Sequence, residues 1–99
     1  MAIVELTVCP LGTATTSASK YVAGAQKILA EQDKVKYLLN PMGTVMEGDI
    51  DEIFKLIRTI QEDVFDKGIE RVYSIIKVDD RRDKISSMEQ KLESVNKKL

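Results

Sequence analysis

Ninety-nine residues suffice for one domain with one core, burying somewhat over ~60% of the surface that an unfolded chain of this size exposes. Fifteen basic against sixteen acidic residues leave a net charge of −1, so no broad field draws the chain to nucleic acid phosphates or to an anionic membrane. The absence of histidine removes Ser-His-Asp and Cys-His catalysis and imidazole metal ligation, and the single cysteine, Cys9, forms no internal disulfide.

Ala2 to Cys9 alternates at strand period, with Ala2, Val4, Leu6 and Val8 on one side and Ile3, Glu5, Thr7 and Cys9 on the other. Pro10-Leu11-Gly12 is expected to end that strand. The hydroxyl run Thr13, Thr15, Thr16, Ser17 and Ser19 offers several caps for a helix whose buried stripe is Tyr21, Ala25, Ile28, Leu29 and Gln32. Val35 to Asn40 reads as a second strand, and Pro41-Met42-Gly43 returns the chain into a third, Thr44 to Gly48. Asp49 followed by Glu52 has capping-box spacing and starts a second helix near Ile50, with an apolar stripe of Ile53, Leu56, Ile57, Ile60 and Val64 and a stop at Lys67-Gly68. Arg71 to Val78 is the fourth strand. Asp79 to Lys84 is a mixed-charge loop, and apolar residues at 85, 88, 92, 95 and 99 predict a third helix over about 85–98 with a narrow seam.

The order βαββαβ with an added C-terminal helix predicts an α+β, ferredoxin-like sandwich over residues 1–99, with helices on one face of a four-stranded antiparallel sheet. If the even residues of strand one face the helices, the other face carries Ile3, Glu5, Thr7, Val45, Glu47, Arg71, Tyr73, Ile75 and Lys77. Such a face is too apolar for water alone and too polar for a core, so another subunit or a ligand should cover it. RNA-recognition domains share the order, but they stack bases on aromatic rings of the central strands, where this chain offers Thr44, Val45, Met46 and Glu47. No nucleic acid partner is expected. Neither a signal peptide nor a membrane-spanning run is visible, and a cytoplasmic, non-enzymatic protein without metal or cofactor is the expectation.

The hairpin motif P-x-G-T-x-x-E-G, present as Pro41, Gly43, Thr44, Glu47 and Gly48, resembles the signature of a family of small thiamine-binding proteins. The likeness extends to Cys9-Pro10-Leu11-Gly12, Tyr21-Val22-Ala23, Arg71-Val72, the segment Lys77 to Lys84, and Lys91 with Val95. The resemblance implies a subunit that assembles through its sheets into a homodimer or homotetramer, with some members binding thiamine or its hydroxymethylpyrimidine half. A carboxylate could offset the thiazolium or accept from the pyrimidine amine, while a hydroxyl and an amide satisfy ring positions. Glu47 is the candidate carboxylate, with Thr44 and Asn40 from the same hairpin, and Glu5 and Thr7 on the neighbouring strand rank second. Thr44 and Glu47 are three residues apart and point to opposite faces of a regular strand, so both reach one ligand only from a rim or across a bulge. The alternative is a structural or regulatory oligomeric module that binds no thiamine.

Overall fold

A computed structural model describes residues 1–84 and 87–99. The elements are β1 (Ala2–Leu11), α1 (Ser19–Ala30), β2 (Lys36–Asn40), β3 (Gly43–Gly48), α2 (Ile50–Asp66), β4 (Arg71–Asp80) and α3 (Met88–Asn96). The strands form one antiparallel sheet in the order β2-β3-β1-β4, which is the ferredoxin-like sandwich with a C-terminal helix added.

Alternation in β1 decides the layering. Ala2, Val4 and Leu6 are buried against Leu29 of α1 and Ile53, Ile57 and Ile60 of α2, and Met46 of β3 joins the same core. Fully burying each of the larger side chains is favourable by roughly 1.5–3 kcal/mol before conformational entropy is counted. Val78, Ile76 and Ser74 of β4 lie opposite Val4, Leu6 and Val8, and Ser74 accepts a 3.0 Å hydrogen bond from Gln61 of α2, so the even residues of β4 face the helices as the pattern predicts. Asp49 caps α2 by accepting from the amides of Asp51 and Glu52 at 3.1 and 3.2 Å. The helix ends where Gly68, at φ 90°, takes the left-handed turn that a side chain would resist.

Several local expectations are corrected. Pro10 does not stop β1: the strand continues to Leu11, paired with β4 through Pro10 opposite Val72 and Leu11 opposite Arg71. On its other side the pairing with β3 ends at Leu6 and Thr44, and there a proline without an amide hydrogen costs no ladder bond. None of the hydroxyl residues caps α1, whose N-cap is Ala18. Thr15 instead accepts from the amide of Ser17 at 3.2 Å and Thr13 donates to the Thr15 carbonyl, so the run folds on itself. Gln32 follows α1 rather than extending its stripe, donating to the carbonyls of Leu29 and Val35 and accepting from the amides of Lys34 and Val35. β4 runs two residues further than expected, and α3 begins at Met88 behind Ser87, whose hydroxyl accepts from the Gln90 amide. The predicted start at Ile85 lies outside the described residues.

Candidate functional site

The hairpin end of the helix-facing layer holds a pocket of about 290 Å³, at the small end of the ~300–1,000 Å³ usual for ligand sites. Leu6 and Val8 of β1, Leu39 of β2, and Tyr21, Val22 and Ala25 of α1 supply apolar wall. Besides the phenol of Tyr21, the polar residues along it are Thr7, Asn40 and Thr44, and none of the lining residues carries a charge. Such a lining suits an uncharged group better than a cation, which when buried there would find no counter-ion.

Each polar residue has a local reason for its position. Thr44 lies opposite Leu6 on β1 and Leu39 on β2, which fixes it on the helix side, and it is only 7% exposed. Its hydroxyl oxygen accepts a 3.1 Å hydrogen bond from the side-chain amide of Gln26 on α1. Asn40 pairs with Gly43 at the last rung before the Pro41-Met42 turn. Thr7 donates to the Met42 carbonyl at 2.9 Å, which ties the hairpin tip to β1. Gly43 is glycine for space and not for its φ, since a Cβ there would sit 3.0 Å from both the Leu6 carbonyl oxygen and the Thr7 hydroxyl.

The five residues expected at one ligand therefore separate. Thr44 lines the pocket from the helix side, while Asn40 and Thr7 border its rim with side chains that register assigns to the outer face, Asn40 in step with Lys36 and Leu38 and Thr7 in step with Glu5; a Cβ on Gly43 would meet Thr7 Oγ1 and Glu5 Cγ together. Glu47 and Glu5 lie on the opposite face, Glu47 across from Ile3 and Glu5 across from Val45, so the opposed directions of Thr44 and Glu47 hold in the fold and no bulge reunites them. Glu47 is 7% exposed because α3 covers it, and its carboxylate accepts from the Met88 amide at 3.1 Å. A carboxylate there satisfies an orphan amide in the first turn of α3 and meets the positive end of its dipole.

The register shows how α3 is held. Lys36, Glu47, Ile3 and Asp79 form one row across all four strands, and α3 binds three of them: Glu89 pairs with Lys36, Met88 donates to Glu47, and Lys91 pairs with Asp79 at 2.6 Å. The Lys36 ammonium hydrogen-bonds the Glu89 carboxyl and holds it below the usual carboxylate range, and the same bond raises Lys36 above the usual lysine range. No residue of α3 is buried, and its seam residues Leu92, Val95 and Leu99 stay exposed. Beyond this strap the sheet face is open, with Leu38, Tyr73 and Ile75 between 46% and 55% exposed.

Tyr21 completes the pocket from α1, and Gln26 on the same helix reaches it only through its bond to Thr44; the sequence pattern singled out only Tyr21, as a core residue. Gln26 falls one residue after Ala25 on the helix, and a polar side chain beside the apolar stripe, facing a strand threonine, was the available signal.

The family described as thiamine-binding protein matches residues 4–96. The UPF0045 protein YqgV of Bacillus subtilis is 49% identical over the whole chain and 98% of its own length, and a UPF0045 protein of Methanothermobacter thermautotrophicus is 43% identical with both chains fully covered. The crystal structure of MJ1052 from Methanocaldococcus jannaschii superposes with a TM-score of 0.87 at 38% identity, covering 96% of this chain and 95% of that one. A Thermotoga maritima protein described as a candidate for thiamine biosynthesis or salvage shares the fold at a TM-score of 0.78 and 18% identity, covering 95% of this chain and 97% of its own.

Proposed function

The chain belongs to the thiamine-binding protein family, and from that premise we propose that it binds thiamine or its hydroxymethylpyrimidine half in the pocket beneath the β2–β3 hairpin, as a homo-oligomer, with binding itself as the activity. The observation that carries the reading is a pocket with apolar walls and a buried hydroxyl, Thr44, among uncharged lining residues. An aminopyrimidine is flat and uncharged, with ring nitrogens that accept and an exocyclic amine that donates, so it suits walls made by Tyr21, Leu6 and Leu39 and a polar edge made by Thr44, with Asn40 and Thr7 at the rim. The thiazolium of thiamine is a cation and belongs at the mouth, in contact with water. Glu47, on the other face and engaged with Met88, is assigned to holding α3, and Glu5 pairs with Lys77 at 3.5 Å on that same face.

Calorimetric titration of the purified protein with thiamine and with hydroxymethylpyrimidine tests the proposal. Saturable binding of the pyrimidine alone is expected, and no saturable heat from either compound up to millimolar concentration overturns it.

Assembly through the sheets, as a homodimer or homotetramer, is supported by the open outer face, where Leu38, Tyr73 and Ile75 expose apolar surface beside the Glu5–Lys77 pair. Light scattering should give a multiple of the chain mass that falls when Tyr73 is replaced by lysine, and a native monomer refutes this part. The same exposed face favours the second reading, an oligomeric module without ligand, which a persistent oligomer giving no heat with either compound would establish.

A further inference from the structure

Thr44 is a buried hydroxyl with a fixed partner on one side. Gln26 donates its amide hydrogen to the Thr44 oxygen at 3.1 Å, and a hydroxyl has one hydrogen to give and two lone pairs to receive. With one lone pair taken, the hydrogen is left to point elsewhere, and among the described residues no carbonyl or carboxylate accepts it. The remaining direction open to the hydroxyl is the pocket that Thr44 lines. Gln26 itself does not line that pocket, so it acts on a ligand only through Thr44.

We propose that Gln26 is a positioning residue that sets the hydrogen-bond polarity of the pocket: by donating to Thr44 it makes the threonine hydroxyl a donor, and the pocket selects flat uncharged rings that present a bare acceptor nitrogen there. A ring carrying C–H at that point leaves the buried hydroxyl hydrogen without a partner and is rejected. The inference rests on the pocket being the pyrimidine site, and it adds which edge of the ring the protein reads and which residue decides it.

Replacing Gln26 by glutamate reverses the polarity at nearly constant size. An ionised carboxylate only accepts, so the Thr44 hydrogen turns toward it and the pocket is left facing a lone pair. The probes are hydroxymethylpyrimidine and its two deaza analogues, in which one or the other ring nitrogen is replaced by C–H, titrated as a function of pH so that affinities are compared for the neutral rings, because the 4-aminopyridine analogue is much more basic than the parent. The native protein should bind one deaza analogue about 10- to 100-fold more weakly than the parent, the cost of one buried donor left unpaired. The Gln26→Glu variant should lose a similar factor for the parent and no longer distinguish the two rings. Gln26→Met, which removes the partner without reversing it, should keep part of the preference, and a native far-UV spectrum and urea midpoint for Gln26→Glu show that its loss is not a folding defect. A native protein that binds the parent and both analogues alike overturns the inference and leaves the pocket assignment standing. So does a Gln26→Glu protein with native discrimination. If the native chain binds none of the three rings, the pocket assignment itself fails and takes this inference with it.

Discussion

Glu47→Ala removes the acceptor that holds the N-terminus of α3. The bond to Met88 is 3.1 Å long and Glu47 is 7% exposed, so a hydrogen bond to a charged group, about 1.5–3 kcal/mol, overlaps with a charge-dipole contribution of about 0.3–2 kcal/mol. The two describe much of the same interaction, and a loss of about 2 kcal/mol, or roughly 30-fold in the ratio of docked to undocked helix, is the reasonable figure. Among the described residues nothing else is strong enough to compensate. α3 is nine residues long with none buried, and isolated helices shorter than about 12–15 residues are marginal in water. Its two ion pairs to the sheet, Lys36–Glu89 and Lys91–Asp79, are exposed and contribute little. The effect should be local, because the core formed by Val4, Leu29, Met46 and Ile53 does not include α3. Hydrogen exchange read by NMR should show the amides of Lys91 and Lys97, which donate to Ser87 and Glu93, losing up to about 30-fold of protection, with the β1 amides unchanged. Glu47→Gln, which keeps an acceptor but no charge, should lie between. Unchanged exchange in α3, or equal losses in α3 and β1, would refute the strap.

Ile53 is fully buried in the core, and Ile53→Ala should cost about 2–5 kcal/mol, read as a lower midpoint in urea; a shift under about 1 kcal/mol would mean that the site collapses freely. Gly43→Ala places a Cβ 3.0 Å from the Leu6 carbonyl oxygen and the Thr7 hydroxyl, so the hairpin tip must shift, and both thermal stability and pyrimidine affinity should fall; a variant with native affinity would show that the tip does not shape the pocket. The Lys36–Glu89 tie depends on pH with a definite sign. Glu89 is held low in the folded state, so its contribution is present above the ordinary carboxylate range and is lost as pH falls through its lowered value, while Lys36, held high, withdraws its share only as pH rises through its raised value. Carboxyl NMR should place the Glu89 midpoint below the ordinary range and raise it toward that range in Lys36→Met, a backbone hydrogen bond at Glu89 still holding it somewhat low, with salt narrowing the difference; equal midpoints in the two proteins contradict the pairing.

What the sequence made legible followed from periodicity and caps. The α2 stripe and Asp49 were readable because their causes lie within a few residues, and the even-numbered face of β1 was readable because burial alternates strictly from Ala2 to Leu6. The direction of β4 was harder, since both of its sides are apolar, and only its pairing with β1 and the Gln61–Ser74 bond decide it. Glu47 could be placed on the outer face by parity, but its partner lies 41 residues away, and no local pattern carries such a distance. The row Lys36, Glu47, Ile3 and Asp79 becomes visible only once register is known, after which the charges of Glu89 and Lys91 fall into place. Pro10 misled because its tolerance depends on where β3 stops pairing, and the hydroxyl run misled because its members bond to one another. Gln26 was passed over because a glutamine beside an apolar stripe is ordinarily a solvated residue, and its contact with Thr44 belongs to packing between layers.

The placement of the ligand site on the helix side of the sheet, at Thr44 rather than Glu47, is tested most directly by titrating hydroxymethylpyrimidine into the native protein, Thr44→Val and Glu47→Gln under one set of conditions. Thr44→Val should bind at least about 10-fold more weakly, the loss of roughly one buried hydrogen bond, while Glu47→Gln should stay within about 2-fold of native, well under 1 kcal/mol. Loss of binding in Glu47→Gln with native affinity in Thr44→Val would put the ligand on the other face and contradict the assignment.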